Sequence, residues 1–220
     1  MARIRTIKPE FWADEKVAAL TPMARLAFIG SWNLADDEGL TRWTTDFINA
    51  SLFMYDGLNA KRVQSLMDEI SDAGLVFTYT TGTRQRLAYI VNFRKHQRIN
   101  RPQPGKLPPP PLQSDDVRTM YGERDQWICH LCKGPINRTR ILPPLDLYDG
   151  KPREGSVDLN LSLDHIEPRS LGGSDYPSNI SASHVACNKG RCNRPIEEFT
   201  VPQSVSRALN GSVNEAVSAQ

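Results

Sequence analysis

The segment "SLDHIEPRSLGGSDYPSN", Ser162 to Asn179, decides how the second half of this chain is read. Leu161, just before it, and Leu163 alternate as apolar residues do along a strand. The strand then ends in Asp164 and His165, side by side. A glycine pair, Gly172 and Gly173, and an asparagine, Asn179, follow. An acid and a histidine at a strand end are most often an ordinary exit into a turn. The other reading is a metal-dependent active site. The flanking residues discriminate.

Upstream, "WICHLCKG" gives Cys129-x-x-Cys132, and downstream "SASHVACNKGRC" gives His184-x-x-Cys187. Two ligand pairs at x-x spacing, one from a knuckle turn and one from a helix start, make a tetrahedral zinc site of three cysteines and one histidine. A small domain with a modest core needs such a staple. Cys192 is an alternative fourth ligand, giving an all-cysteine site, although His184-x-x-Cys187 is the tighter pair. His130, between the knuckle cysteines, is expected to point away. All four cysteines lie in this half, which in a reducing compartment favours metal over disulfide.

The 220 residues accommodate one or two small domains, and 24% of them are charged, as in a soluble globular protein. No apolar run reaches the roughly 20 residues that span a membrane. The opening "MARIRTIKPEFW" is basic without an apolar core, so no secretory signal is expected. The expected location is the cytoplasm, that of a bacterial host cell. Net charge is only +2. The distribution says more, because "NFRKHQRINRPQPGK" carries Arg94, Lys95, Arg98, Arg101 and Lys106 without an acid. That run is either a phosphate footprint or a solvated linker.

"NRPQPGKLPPPPLQ" is proline-dense and aperiodic, an extended semi-rigid spacer. The expected division is therefore residues 1–100, a basic and proline-rich linker at 101–114, a second domain at 115–199, and a disordered tail at 200–220. In the first domain, "KPEFWADEKVAAL" suits a short helix. "TPMARLAFIGSWNLA" opens with Thr21 as N-cap and Pro22 at the first helical position, with Leu26, Phe28, Ile29, Trp32 and Leu34 as its apolar face. "TTDFINASLF" suits another short helix. "NAKRVQSLMDEISDAGL" is the clearest: Val63, Leu66, Met67 and Ile70 form one stripe and Gly74 stops it. "LVFTYTTGTRQRLAYIVNF" alternates, turns at Thr81–Gly82 and alternates again, a hairpin.

Helices followed by a hairpin describe a winged helix. "RIRTIKPEFWADEKVAALTPMARLAFIGSWNLADDEG" with "YIVNFRKHQRINRPQPGKLP" resembles the N-terminal domain of phage replication-initiation proteins. The resemblance implies DNA binding through a helix and a wing, although a helical domain of this kind can also contact only protein.

The order Cys-x-x-Cys, Asp-His-Ile-x-Pro, Gly-Gly, Asn and His-x-x-Cys-Asn, over about Arg124 to Arg194, resembles the HNH endonuclease family. The fold class implied is α+β: a winged-helix-like domain, a proline-rich linker and a zinc-containing ββα-metal domain. The resemblance implies that His165 is the general base, that Asp164 is an oxygen ligand of a catalytic Mg²⁺ or Mn²⁺, and that Asn179 braces the loop. Asn188 falls at the last motif position, often a metal-ligating histidine. An amide oxygen there still suits a hard cation. Phosphodiester hydrolysis needs these types: a base for water and positive charge at the leaving oxygen. Arg169, Lys189, Arg191 and Arg194 are candidates to hold the DNA backbone. "RTRILPPLDLYDGKPREGSVDLN" is expected to be an extended loop or hairpin without an assigned role.

The reading is a metal-dependent DNA endonuclease whose first domain raises the local concentration of the second on DNA. Its expected partners are DNA and phage replication or packaging proteins. The rivals are a non-catalytic zinc-stabilised DNA-binding factor and a homing-type nuclease with a long target.

Overall fold

The computed structural model describes residues 4–139 and 157–217. The chain forms two units, Met1–Pro111 and Leu112–Gln220.

The first unit opens with a 3-10 turn at Pro9–Ala13 and the short helix α1 (Glu15–Ala19). One continuous helix does not form there, because Asp14 caps α1 by accepting from Lys16 N and Val17 N and so starts a new helix. Helix α2 (Pro22–Leu34) begins as its sequence dictates, with Thr21 accepting from Ala24 N and proline in the first turn. Its buried face is Ala24, Ala27, Phe28, Ser31 and Trp32. Leu26 was expected there but is 57% exposed, because the closely packed side uses alanines instead.

Strand β1 (Leu40–Arg42) follows, then α3 (Thr45–Leu52) and α4 (Ala60–Asp72), capped by Thr44 and Asn59. The expected stripe of α4 is buried: Val63, Leu66, Met67 and Ile70. Gly74 ends the helix at φ +67°, a conformation that suits glycine. Strands β2 (Val76–Thr80) and β3 (Arg86–Ile90) form the hairpin. The sheet is three-stranded and antiparallel, in the order β1-β3-β2. β1 is too short to show an alternation, so the sequence did not announce it. A four-residue helix, α5 (Phe93–His96), closes the unit.

The proline-rich stretch is no free spacer over its first half. Gln103 N donates to Asp37 Oδ2 at 2.9 Å, Lys106 N donates to Asp36 Oδ2 at 2.9 Å, and the Tyr79 hydroxyl donates to Pro108 O at 2.7 Å. An extended backbone leaves its non-proline N–H groups unpaired, and the two aspartates after α2 accept them.

The second unit contains α6 (Asp115–Arg124), strands β4 (Leu161–His165) and β5 (Ile180–His184), and α7 (Val185–Arg191). β4 and β5 pair antiparallel, with Leu163 opposite Ala182 and Asp164 opposite Ser181. A small core gathers Cys129, Ile136, Ala182, Cys187 and Val205. Most of the sequence from Arg138 to Asn160 lies outside the described residues, so its expected loop or hairpin is not described.

Within the stretch expected to be a disordered tail, a helix, α8, spans Gln203–Val217. Val205 is 1% exposed, and Leu209 packs on the same core, one helical turn on. That i, i+4 pair was hidden in a stretch that is otherwise small and polar. Among the described residues, no helix is long and apolar enough to cross a membrane.

Candidate metal centre and active site

Cys129, Cys132, His184 and Cys187 bring their ligand atoms within 4.8 Å of one another. The knuckle is built by backbone bonds. Cys129 N donates to Gly134 O at 2.9 Å, and Lys133 N donates to Cys129 O at 2.8 Å. Lys133 takes a positive φ of 63° to complete the turn. The other pair comes from the end of β5 and the first turn of α7. His184 Nδ1 lies 3.3 Å from Cys132 Sγ and 3.6 Å from Cys187 Sγ. Its Nε2 donates to Pro135 O at 2.8 Å, which fixes the tautomer and leaves Nδ1 to face the sulfurs. Cys192 stands apart. It is exposed, with Sγ on Lys189 O. It follows the last residue of α7, where the chain turns out of the helix at φ 53°.

Three sulfurs and an imidazole nitrogen, mostly buried, are the donor chemistry of zinc. The thiols already divide their protons unequally. A hydrogen bond from Cys187 lowers the Cys129 thiol to about 3. The same bond, with burial, pushes the Cys187 thiol up. Burial also raises Cys132. His184 is raised: burial alone would lower it, but the hydrogen bond and charge of the Cys129 thiolate outweigh that effect.

Beyond this cluster, β4 ends in Asp164 and His165. Neighbours on a strand face opposite ways, and their surroundings differ accordingly. Asp164 is 2% exposed. Its Oδ1 lies 2.6 Å from the Arg191 guanidinium, and its Oδ2 lies 2.7 Å from His130 Nε2. His130 points away from the thiol cluster, as expected, and toward Asp164, because His130 N donates to Ala182 O and seats the knuckle beside β5. One expectation fails here: Arg191 is not placed as a DNA contact. It is 1% exposed, and beyond Asp164 it also donates to the carbonyls of His165 and Arg194.

His165 faces the loop. Its Nε2 lies 2.7 Å from Asp175 Oδ1, and Asp175 is held by Arg169 through both carboxylate oxygens, at 2.8 and 2.6 Å. Asp175 is lowered below its ordinary value: burial opposes the shift, but the hydrogen bonds from His165 and Arg169 prevail. Neither Asp175 nor the Arg169 link was foreseen, although Asp175 stands only two residues after the glycine pair. Asn179 ties the loop together. Its Oδ1 accepts from Glu167 N at 2.8 Å, and its Nδ2 donates to Glu167 O at 3.0 Å and Ser174 O at 2.8 Å. Gly173 is required at this crossing, since a Cβ there would lie 1.8 Å from Glu167 O.

Asn188, on α7, donates to Ser162 Oγ at 2.9 Å and to Leu163 O at 3.1 Å. Both bonds use Nδ2 and anchor the side chain on β4 beside Asp164. Of the other basic candidates, Lys189 and Arg194 are exposed, and Arg169 is 55% exposed at its side chain while paired to Asp175. In the first unit, Lys95, Arg98 and Arg101 are exposed, and Arg94 pairs with Glu38 at 2.7 Å.

Residues 150–197 match the family model of the HNH endonucleases. The match covers a minority of the chain and includes both strands, the loop and α7, while the knuckle lies upstream of it. No curated protein and no solved structure matches the chain. The HNH match points to a nuclease or DNA-binding role, and the cysteine–histidine cluster fits zinc.

Proposed function

We propose that the chain is a metal-dependent DNA endonuclease that hydrolyses phosphodiester bonds. The observation that carries this reading is the end of β4. There one strand presents a buried carboxylate to one side and a partly exposed imidazole to the other, beside a helix that contributes Asn188.

The donors fit a hard cation. A carboxylate has about four acceptor sites, and Asp164 uses two of them on His130 and Arg191. Asn188 commits its amide protons to β4 and keeps its oxygen. Asp164 and Asn188 would hold the ion, and a hard cation such as Mg²⁺ commonly takes one or two protein oxygens and retains water. When bound, it supplies positive charge to the phosphate and the leaving oxygen.

The remaining steps belong to the chain. With Nε2–H donating to the Asp175 carboxylate, Nδ1 is the nitrogen of His165 that accepts a proton from water. Arg169 neutralises Asp175 and so keeps that carboxylate in place. The Asn179-braced loop fixes the angle at which His165 leaves β4. Lys189 and Arg194 are available to the DNA backbone.

The first unit supports a second part of the proposal, a winged-helix DNA-binding domain. Its elements run α2, β1, α3, α4, β2, β3, with the sheet ordered β1-β3-β2. Lys61 and Arg62 are exposed at the start of α4, and Arg84 and Arg86 are exposed at the hairpin. On the sequence reading of this unit as similar to phage replication-initiation proteins, the proposal includes phage replication or packaging proteins as partners.

A second reading, a non-catalytic DNA-binding factor, has one observation in its favour: both Asp164 oxygens are already engaged by protein side chains. Supercoiled plasmid incubated with the protein and Mg²⁺, Mn²⁺ or EDTA separates the two. The proposal expects nicked or linear product with a divalent ion and none with EDTA. Retarded but uncut plasmid under every condition would support the binding factor.

A further inference from the structure

Asp164 is held from two sides, by Arg191 at one oxygen and by His130 at the other. Arg191 comes from α7 and supplies the compensating charge. His130 comes from the zinc knuckle, and charge is not what it adds, because Arg191 already neutralises the carboxylate. It adds direction. A carboxylate held by one partner can still turn about its Cβ–Cγ bond, whereas one held at each oxygen cannot.

The backbone of His130 is fixed to match. Its N–H donates to Ala182 O at 2.9 Å, and its carbonyl accepts from Lys133 Nζ at 2.7 Å. Ala182 pairs with Leu163, the residue before Asp164. The knuckle therefore sits in register with the end of β4. The adjoining cysteines Cys129 and Cys132 belong to the thiol cluster, so closing that cluster also sets the backbone from which the imidazole projects.

We infer that His130 is a positioning residue: it fixes the plane of the Asp164 carboxylate so that the remaining lone pairs meet a divalent cation, and it thereby couples the zinc knuckle to the catalytic ion. This rests on the proposed role of Asp164. Partners behind a ligand commonly change metal affinity 10- to 100-fold when removed.

The test is Mn²⁺ binding to the zinc-loaded full chain, followed by electron paramagnetic resonance of the free ion. Thiolate sites prefer zinc, so Mn²⁺ reports on the oxygen site. The variants are His130→Ala and His130→Gln, with zinc content and melting temperature measured for each. His130→Ala is expected to weaken Mn²⁺ binding by about tenfold or more at unchanged zinc content. His130→Gln, which keeps an N–H donor, should recover part of the loss. In an Asp164→Ala background, His130→Ala should cost nothing further. Mn²⁺ affinity within twofold of wild type in a zinc-loaded His130→Ala protein would overturn the inference. So would equal losses in both backgrounds. Should His130→Ala not fold, the Gln variant decides: an affinity no better than that of Asp164→Ala would show that its donor does not position the carboxylate. Absence of Mn²⁺ binding in wild type would overturn the two-ligand cation site itself, a distinct failure.

Discussion

Asp164 and Arg191 form an ion pair with side chains 2% and 1% exposed, at 2.6 Å, between the end of β4 and the last turn of α7. Removing one partner of such a pair leaves a buried charge that water cannot reach. Arg191→Met is expected to destabilise the second unit by about 3–5 kcal/mol. Chemical denaturation, followed by a probe in that unit, checks this. Arg191 Nε has no hydrogen-bond partner among the described atoms, so its removal offsets a small part of that loss.

The loop behind His165 depends on a backbone crossing that excludes a side chain. Gly173→Ala would drive a Cβ against Glu167 O and disrupt the Asn179 bonds. The expected cost is about 3 kcal/mol, with zinc retained and cleavage lost together with the position of His165. Calorimetry, zinc analysis and a nicking assay on the same preparation read all three. Gly172→Ala is no equivalent control, because Gly172 sits at φ +96°.

Most of this arrangement was legible in the sequence wherever local chemistry dictates it. Thr21 with Pro22, the α4 stripe and the two x-x ligand pairs each specify their own geometry within a few residues. What escaped depends on distant contacts. His130 reads as a spacer residue until Ala182, 52 positions on, seats the knuckle beside β5. Arg191 reads as surface charge because its carboxylate partner lies on another element. β1 needs β3 to exist as a strand. The α8 contact rests on Val205 and Leu209 in a tail with few other large apolar residues.

Metal removal should act on one unit. Cys129 and Cys187 are 0% exposed and form part of the small core of the second unit. Stripping zinc with a strong chelator is expected to unfold that core while the first unit, with its own core, stays folded. Limited proteolysis would show the first unit surviving. Zinc content should also fall as pH is lowered, because the thiols and His184 must all be deprotonated to bind. Cys132 and Cys187, raised by their surroundings, release their protons on loading.

The His165–Asp175 contact carries its own pH signature. Asp175 is lowered in the folded chain from 3.8, so its contribution to stability is present above that pH and is lost as pH falls through the lower folded value. The stability difference between wild type and Asp175→Asn is expected to stay flat from neutral pH to about 4 and to shrink below it. The side chain is 38% exposed, so added salt should reduce the difference throughout.

On the proposed function, His165 activates water at a site that the zinc cluster only supports. The direct measurement compares wild type with His165→Ala for plasmid nicking in Mg²⁺ and Mn²⁺, with zinc content and DNA affinity measured on both. His165→Ala is expected to keep its zinc and its DNA affinity and to lose at least about a hundredfold in nicking rate. Nicking at the wild-type rate by a zinc-loaded His165→Ala protein would contradict it.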